Sequence, residues 1–283
     1  YGLISYANSI EQIGPLARTV KDTAFMLNMI AGIDANDNTT IDNKNEDYLL
    51  GIDSGIEGKK IGIIKEMIGE GTDPAVLSAT NDAIAKLESL GAICEEISID
   101  MVKYSVAAYY TITATEAGSN LARYDNLRYG YDFPLEGYEF NSYISKARRN
   151  FGPEVTRRMI IGGFVPSAGH AGKYFLKAMK VKSKLTKEIN EAFKKFDFLI
   201  APTVPILPFK VGEKINDPVA LFLVDINTVT ANLTGKPAIS IPFAISNGLP
   251  IGMQLFADSM QDKSLLQVAY ALEQTVKLPE VPI

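Results

Sequence analysis

The stretch from Lys60 to Ile99 constrains this chain more than any other. Lys60 to Ile64 (KIGII) is an apolar run of strand length. A helix begins near Asp73-Pro74, with proline at the first helical position, where a missing N–H leaves no bond unmade. Ala75, Leu77, Ala83, Ile84 and Leu87 recur on one face of it, Gly91 stops it, and Ala92 to Ile99 follows as a second strand. Parallel strands need such a helical crossover, and they are stable only when both faces of their sheet are covered. The spacing therefore predicts an α/β fold: a mixed β-sheet covered by helices on both faces.

The remaining elements fit that frame. Thr19 to Ala31 carries Val20, Ala24, Leu27, Met29 and Ile30 on a broad stripe and ends at Gly32, which predicts an amphipathic helix. Asp34 to Gly58 reads as a loop with one helical turn at Asp47 to Leu50. Helices are expected over Met101 to Tyr124, Glu139 to Arg149, Pro153 to Phe164 and Lys173 to Phe196, with a tyrosine-rich connection after the first. Phe198 to Ala201 reads as a buried strand closed by Pro202. Two short helical pieces around Asp217 to Leu233, strands at Ala238 to Pro242 and Ile251 to Phe256, and a helix at Asp262 to Thr275 complete the reading. With no repeat, no low-complexity tract and no compositional break, residues 1–283 are expected to form a single domain.

Composition removes several classes of function. No apolar run approaches the roughly 18 residues of a membrane span. The formal charge of −5, from 28 basic and 33 acidic residues mixed along the chain, argues against autonomous nucleic-acid binding. One cysteine and one histidine allow neither an internal disulfide nor a Cys/His zinc site, which fits a reducing, cytoplasmic setting. The opening YGLISYANSI, without initiator methionine or charged leader, reads as part of a longer protein.

Individual residues offer little chemistry. His170, among Gly169, Ala171 and Gly172, reads as a surface or capping histidine in a loop. Cys94 lies in AICEEI, where Glu95 and Glu96 would oppose a thiolate, so a small buried hydrophobe is expected. No phosphate-cradling glycine motif occurs. Three segments look wrong for scaffold alone: SNLARYDNLRYGYD, FGPEVTRRMIIGGF and FLVDINTVTANLTGKPAISIP. Asp225, between apolar residues in the last, reads either as a helix N-cap or as the partner of a buried cation, and Arg158 stands four residues from Glu154, a helical ion-pair spacing.

With SIEQIGPLARTVKDTA, TATEAGSNLARYDNLRYGYD, FGPEVTRRMIIGGFVPSAG, FLIAPTVPILPFKVGE and NLTGKPAISIPFAISNGLPIGMQL, these segments resemble the amidase signature family along essentially the whole chain. Among its members they are most similar to the A subunits of tRNA-dependent (aspartyl/glutamyl-tRNA) amidotransferases. The resemblance implies an amidase signature fold, incomplete here. The family's lysine, its serine in a cis peptide and its nucleophilic serine lie in a Gly/Ser-rich signature upstream of the segment that matches Tyr1. The only Gly-Ser step here is Gly118-Ser119, so the chain is expected to be the C-terminal portion of the domain, inactive alone.

The resemblance also implies roles for three residues: Arg158 for the α-carboxylate of glutamine, Asp225 for its α-ammonium, and Tyr109, in preference to Tyr110, lining the same pocket. The parent protein would hydrolyse glutamine through an acyl-serine intermediate and supply ammonia for converting Glu-tRNA(Gln) or Asp-tRNA(Asn) to Gln-tRNA or Asn-tRNA. It would work with B and C subunits and meet tRNA only through that complex. No cofactor or metal is expected in this chain, ATP and magnesium belonging to the B subunit. The rival readings are a stand-alone amidase of small amides and a non-catalytic assembly subunit. Two departures from the family pattern, His170-Ala171-Gly172 and Lys236, are expected to affect a partner surface or the pocket rim.

Overall fold

The computed structural model describes residues 1–44, 46–69, 71–130, 134, 136–213, 221 and 224–277. In chain order the helices are α1 (Val20–Ile30), α2 (Pro74–Ser89), α3 (Ser105–Leu121), α4 (Phe140–Arg148), α5 (Pro153–Phe164), α6 (Phe175–Ala192), α7 (Val229–Thr234) and α8 (Asp262–Glu273). The strands are β1 (Lys60–Ile64), β2 (Ile93–Ile97), β3 (Phe198–Pro202), β4 (Ala238–Ser246) and β5 (Leu249–Ala257). They gather into two compact units: Tyr1 with residues 12–106 and 183–283, and residues 2–11 with 107–182.

The first unit holds a five-stranded sheet of order β2-β1-β3-β5-β4. β1 runs parallel to β2 and β3, whereas β5 runs antiparallel to β3 and β4, so the sheet is mixed as expected. α2 is the crossover from β1 to β2, and the Asp73 side chain caps it by accepting the Ala75 N–H at 2.8 Å. Strand periodicity sends Ile61, Ile63, Phe198, Ile200, Met253 and Leu255 to one face, in one apolar cluster with Val20 and Ala24 of α1, Val76, Ala83 and Leu87 of α2, and Leu265, Ala269 and Leu272 of α8. The alternate residues Ile64, Leu199, Ala201 and Phe256 point the other way and are equally buried. Each buried valine, leucine, isoleucine, methionine or phenylalanine among them contributes on the order of 1.5–3 kcal/mol. At Gly62 a Cβ would stand 2.8 Å from Leu199, so β1 accepts no larger residue there without displacement.

Two details depart from expectation. The buried stripe of α2 is Val76, Ala79, Thr80, Ala83 and Leu87, while Leu77 is exposed. Thr80 can lie inside because its hydroxyl donates to the Val76 carbonyl at 2.8 Å. β4 does not end at Pro242 but continues to Ser246; Pro242 stands on an edge strand where the register shifts, so no ladder bond is forfeited by its missing N–H. Asn247 and Gly248, at φ of 52° and 79°, then make the two-residue turn into β5, with the twist that hairpins favour. Of the two helical pieces expected around Asp217 to Leu233, the second is α7, and the first lies mainly outside the described residues.

The second unit is helical: α4, α5, most of α3 and the first part of α6, with residues 2–11. α3 and α5 cross in backbone contact, since a Cβ on Gly162 would lie 2.0 Å from the Ala114 carbonyl oxygen.

Candidate substrate-binding site

α5 starts with Gly152 as N-cap and Pro153 as its first residue, which puts Glu154 in the first turn, where a carboxylate suits the helix dipole. Arg157 and Arg158 follow at three and four residues and both reach back. Arg157 closes on Glu154 through two bonds of 2.8 Å, Nε to Oε2 and Nη2 to Oε1. Arg158 adds Nε to Oε1 at 2.6 Å. The Arg157 bonds, with those of Arg158 and their charges, pull the Glu154 carboxyl from the usual 4.5 down to about 2. Burial works against the Arg158 charge, but its bonds to Glu154 and Tyr6 outweigh it and hold the guanidinium firmly protonated.

The helical ion pair that the spacing suggests therefore exists, yet it does not consume Arg158. Arg157 already fills the fork of Glu154, so Arg158 can shift its bond without stranding that carboxylate. The second contact comes from far away in sequence: Arg158 Nη1 donates to the Tyr6 hydroxyl at 2.8 Å, with the guanidinium carbon 6.0 Å from the ring centroid. Among the described residues Nη2 takes no partner, and one Nη1 hydrogen remains as well. Two nitrogens with hydrogens left to give are what a guanidinium needs to grip a carboxylate bidentately. Tyr6 escapes a reading of the sequence because nothing in YGLISYANSI announces a partner so remote along the chain.

Tyr109 lies on α3, half-buried, edge-on to Tyr110 with ring centroids 5.2 Å apart. Tyr109 and Arg158 thus belong to the same unit, on the two helices that cross at Gly118 and Gly162.

Asp225 belongs to the other unit, half-buried on the turn before α7. Its backbone carbonyl accepts the N–H groups of Thr228 at 3.0 Å and Val229 at 3.1 Å and the Thr228 hydroxyl at 3.0 Å. Asn227, 1% exposed, ties this turn to the sheet: its amide donates to the carbonyls of Met67 at 3.2 Å and Pro202 at 2.8 Å. The buried Gln254 of β5 donates to the Asn227 carbonyl at 3.1 Å. The Asp225 turn is thereby anchored to the C-terminal end of β3. Beside it a groove of about 430 Å³ is lined by Thr203, Leu207, Phe209, Val224, Ser240 and Gly252.

The other singled-out residues resolve differently. His170 stacks parallel to Tyr174 with centroids 6.3 Å apart and lies tilted against Phe164 at 4.2 Å, and its Nδ1 lies 3.2 Å from the Ser167 hydroxyl. Cys94 is half-buried rather than buried, and that partial burial, helped by Glu88, pushes its thiol up to about 11. Lys236 is no rim residue: it is buried, with Nζ 2.5 Å from Asp258 and 3.0 Å from the Ser259 hydroxyl, because a long stem lets an ammonium cross an apolar layer to reach a carboxylate. Among the described residues no group of three or more His, Cys, Asp or Glu could hold a metal ion, and no helix is long and apolar enough to cross a membrane.

The amidase family model matches residues 1–266, and the chain belongs to that family. It is 64% identical, over 282 residues and 100% of its length, to the A subunit of glutamyl-tRNA(Gln) amidotransferase from Cenarchaeum symbiosum, of which it covers 59%. To the protein of the same name from Methanosarcina mazei it is 46% identical, covering 99% of this chain and 60% of that protein. The crystal structure of the Thermotoga maritima protein of that name superposes with a TM-score of 0.77 at 39% identity, over 97% of this chain and 55% of that one. The chain thus spans about three fifths of the length of these curated relatives. A bacterial aryl acylamidase shares the fold, with a TM-score of 0.71 at 20% identity over 92% of this chain and 52% of that one.

Proposed function

We propose that this chain is the substrate-binding portion of a glutamine amidohydrolase subunit, the C-terminal part of one amidase-signature domain whose Lys and two Ser groups come from outside the stretch described. One observation carries the reading: Arg158 is held by Tyr6 and Glu154 with two nitrogens still able to donate. A carboxylate seated there and an ammonium at Asp225 would select a free amino acid and leave its side-chain amide for the nucleophile, with Tyr109 lining the pocket. The relatives' name supplies the reaction. Ammonia released from glutamine would pass to a B subunit that uses ATP and magnesium to amidate Glu-tRNA(Gln) or Asp-tRNA(Asn), a C subunit bracing the assembly. tRNA is met only through that cytoplasmic complex, no membrane is involved, and the stretch alone hydrolyses nothing.

The test is glutamine turnover and thermal unfolding of Arg158→Ala, Arg158→Lys and Asp225→Asn in the full-length protein. Removing one side of a desolvated charge pair costs on the order of 2–5 kcal/mol, so kcat/KM falls by a factor of hundreds while Tm moves little. Lysine rescues poorly because it lacks the planar fork. Normal turnover in Arg158→Ala, or a loss of stability that accounts for the lost activity, refutes the assignment.

A further inference from the structure

We infer that Tyr6 is a second carboxylate-binding residue, its phenol donating to the same carboxylate that Arg158 grips; this rests on the reading of Arg158 given above. The Tyr6 oxygen already accepts a bond from Arg158 Nη1 at 2.8 Å. A phenol that accepts still has one proton to give, and among the described residues no acceptor takes it. A cationic N–H on the oxygen polarises the O–H and makes it the stronger donor. An anion bound by Arg158 Nη2 beside Tyr6 would then take a bond from the phenol as well.

The segment that carries Tyr6 is built to hold it still. The Tyr6 N–H donates to the Glu11 carboxylate, which also accepts the Ala7 N–H at 2.8 Å. The Tyr6 carbonyl accepts from the Asn120 amide of α3 at 3.0 Å; Asn120 is 5% exposed and also donates to Asn8 at 3.1 Å. Both backbone groups of one tyrosine are therefore fixed by side chains, while its own side chain is committed on one lone pair only. A purely structural tyrosine would need either restraint but not an unspent donor beside a guanidinium.

The experiment uses Tyr6→Phe in the full-length protein, which removes one oxygen and leaves the ring. The readout is the ratio of kcat/KM for glutamine to that for γ-aminobutyramide, the same amide without the carboxylate, with the inhibition constant of γ-aminobutyramide read instead where its turnover is too slow. Losing one hydrogen bond to a charged group lowers that ratio about tenfold. A structural role lowers both values alike, so an unchanged ratio overturns the assignment. Arg158→Ala separates the two claims. If it lowers the ratio and Tyr6→Phe does not, only the role of Tyr6 falls. If neither does, the carboxylate site itself falls and Tyr6 with it.

Discussion

Gly162→Ala and Gly163→Ala, adjacent in the same helix, should move stability in opposite directions. At Gly162 a Cβ would lie 2.0 Å from the Ala114 carbonyl oxygen and 3.0 Å from Gly118 Cα. An ordinary carbon–oxygen contact sits near 3.3 Å, so α5 and α3 must part by about 1.3 Å where they cross. Both atoms are backbone, so no rotamer change relieves the clash. Overpacking of this kind costs about 3 kcal/mol, and the better helix propensity of alanine returns about 1, leaving a net loss of about 2 kcal/mol. At Gly163 nothing lies within 4 Å of the added methyl, so only the propensity gain of about 1 kcal/mol remains. In a scanning calorimeter these become a fall in Tm of roughly 4–8 °C and a rise of roughly 2–4 °C. A Gly162→Ala variant as stable as Gly163→Ala would refute the close crossing. A Gly162→Ala variant that loses stability with no loss of glutamine turnover in the full-length protein would instead count against the role of Arg158, because parting the helices also moves it.

The Glu154 carboxyl, held at about 2 against an ordinary 4.5, contributes stability that is present above pH 4.5 and is lost as the pH falls towards 2. Water screens this half-exposed group to about 1 kcal/mol. Glu154→Gln should therefore be less stable than the parent at neutral pH and equal to it near pH 2; a constant difference in acid titrations of unfolding contradicts the pairing. The Lys236–Asp258 pair is lopsided, its side chains 7% and 52% exposed. Asp258→Asn strands a buried ammonium and should cost about 2–3 kcal/mol, whereas Lys236→Met leaves a solvated carboxylate and should cost under about 1. Urea unfolding that ranks the two the other way contradicts this account of Lys236.

The elements legible in the sequence are those where period and punctuation agree. KIGII, Asp73-Pro74 and Gly91 define β1, the start of α2 and its end almost to the residue. Local pattern fails where a distant surface chooses between neighbours: Val76 and Leu77 are both apolar, and only the sheet decides that Val76 faces inward. Proline at 242 resembles a strand end because its edge position is a property of the sheet rather than of the strand. The Asn247-Gly248 dipeptide, by contrast, is a hairpin signal that the sequence carries and that reading strand by strand passes over. At the site, the Arg158–Glu154 spacing is visible, while the Tyr6 bond to Arg158 spans 152 residues and has no sequence signature. Lys236 reads as a surface departure because its carboxylate partner, Asp258, lies beyond the following hairpin.

The central claim is that the pocket holds both ends of a free amino acid. It is tested most directly by steady-state hydrolysis of glutamine, glutaramate and γ-aminobutyramide by the unmodified full-length protein, the second lacking the amino group and the third the carboxylate. Two-ended recognition predicts that kcat/KM falls by a factor of roughly hundreds for each truncated amide, since each leaves Arg158 or Asp225 without its counter-charge. Hydrolysis of either truncated amide as efficiently as glutamine would contradict the claim and leave a general amidase in its place.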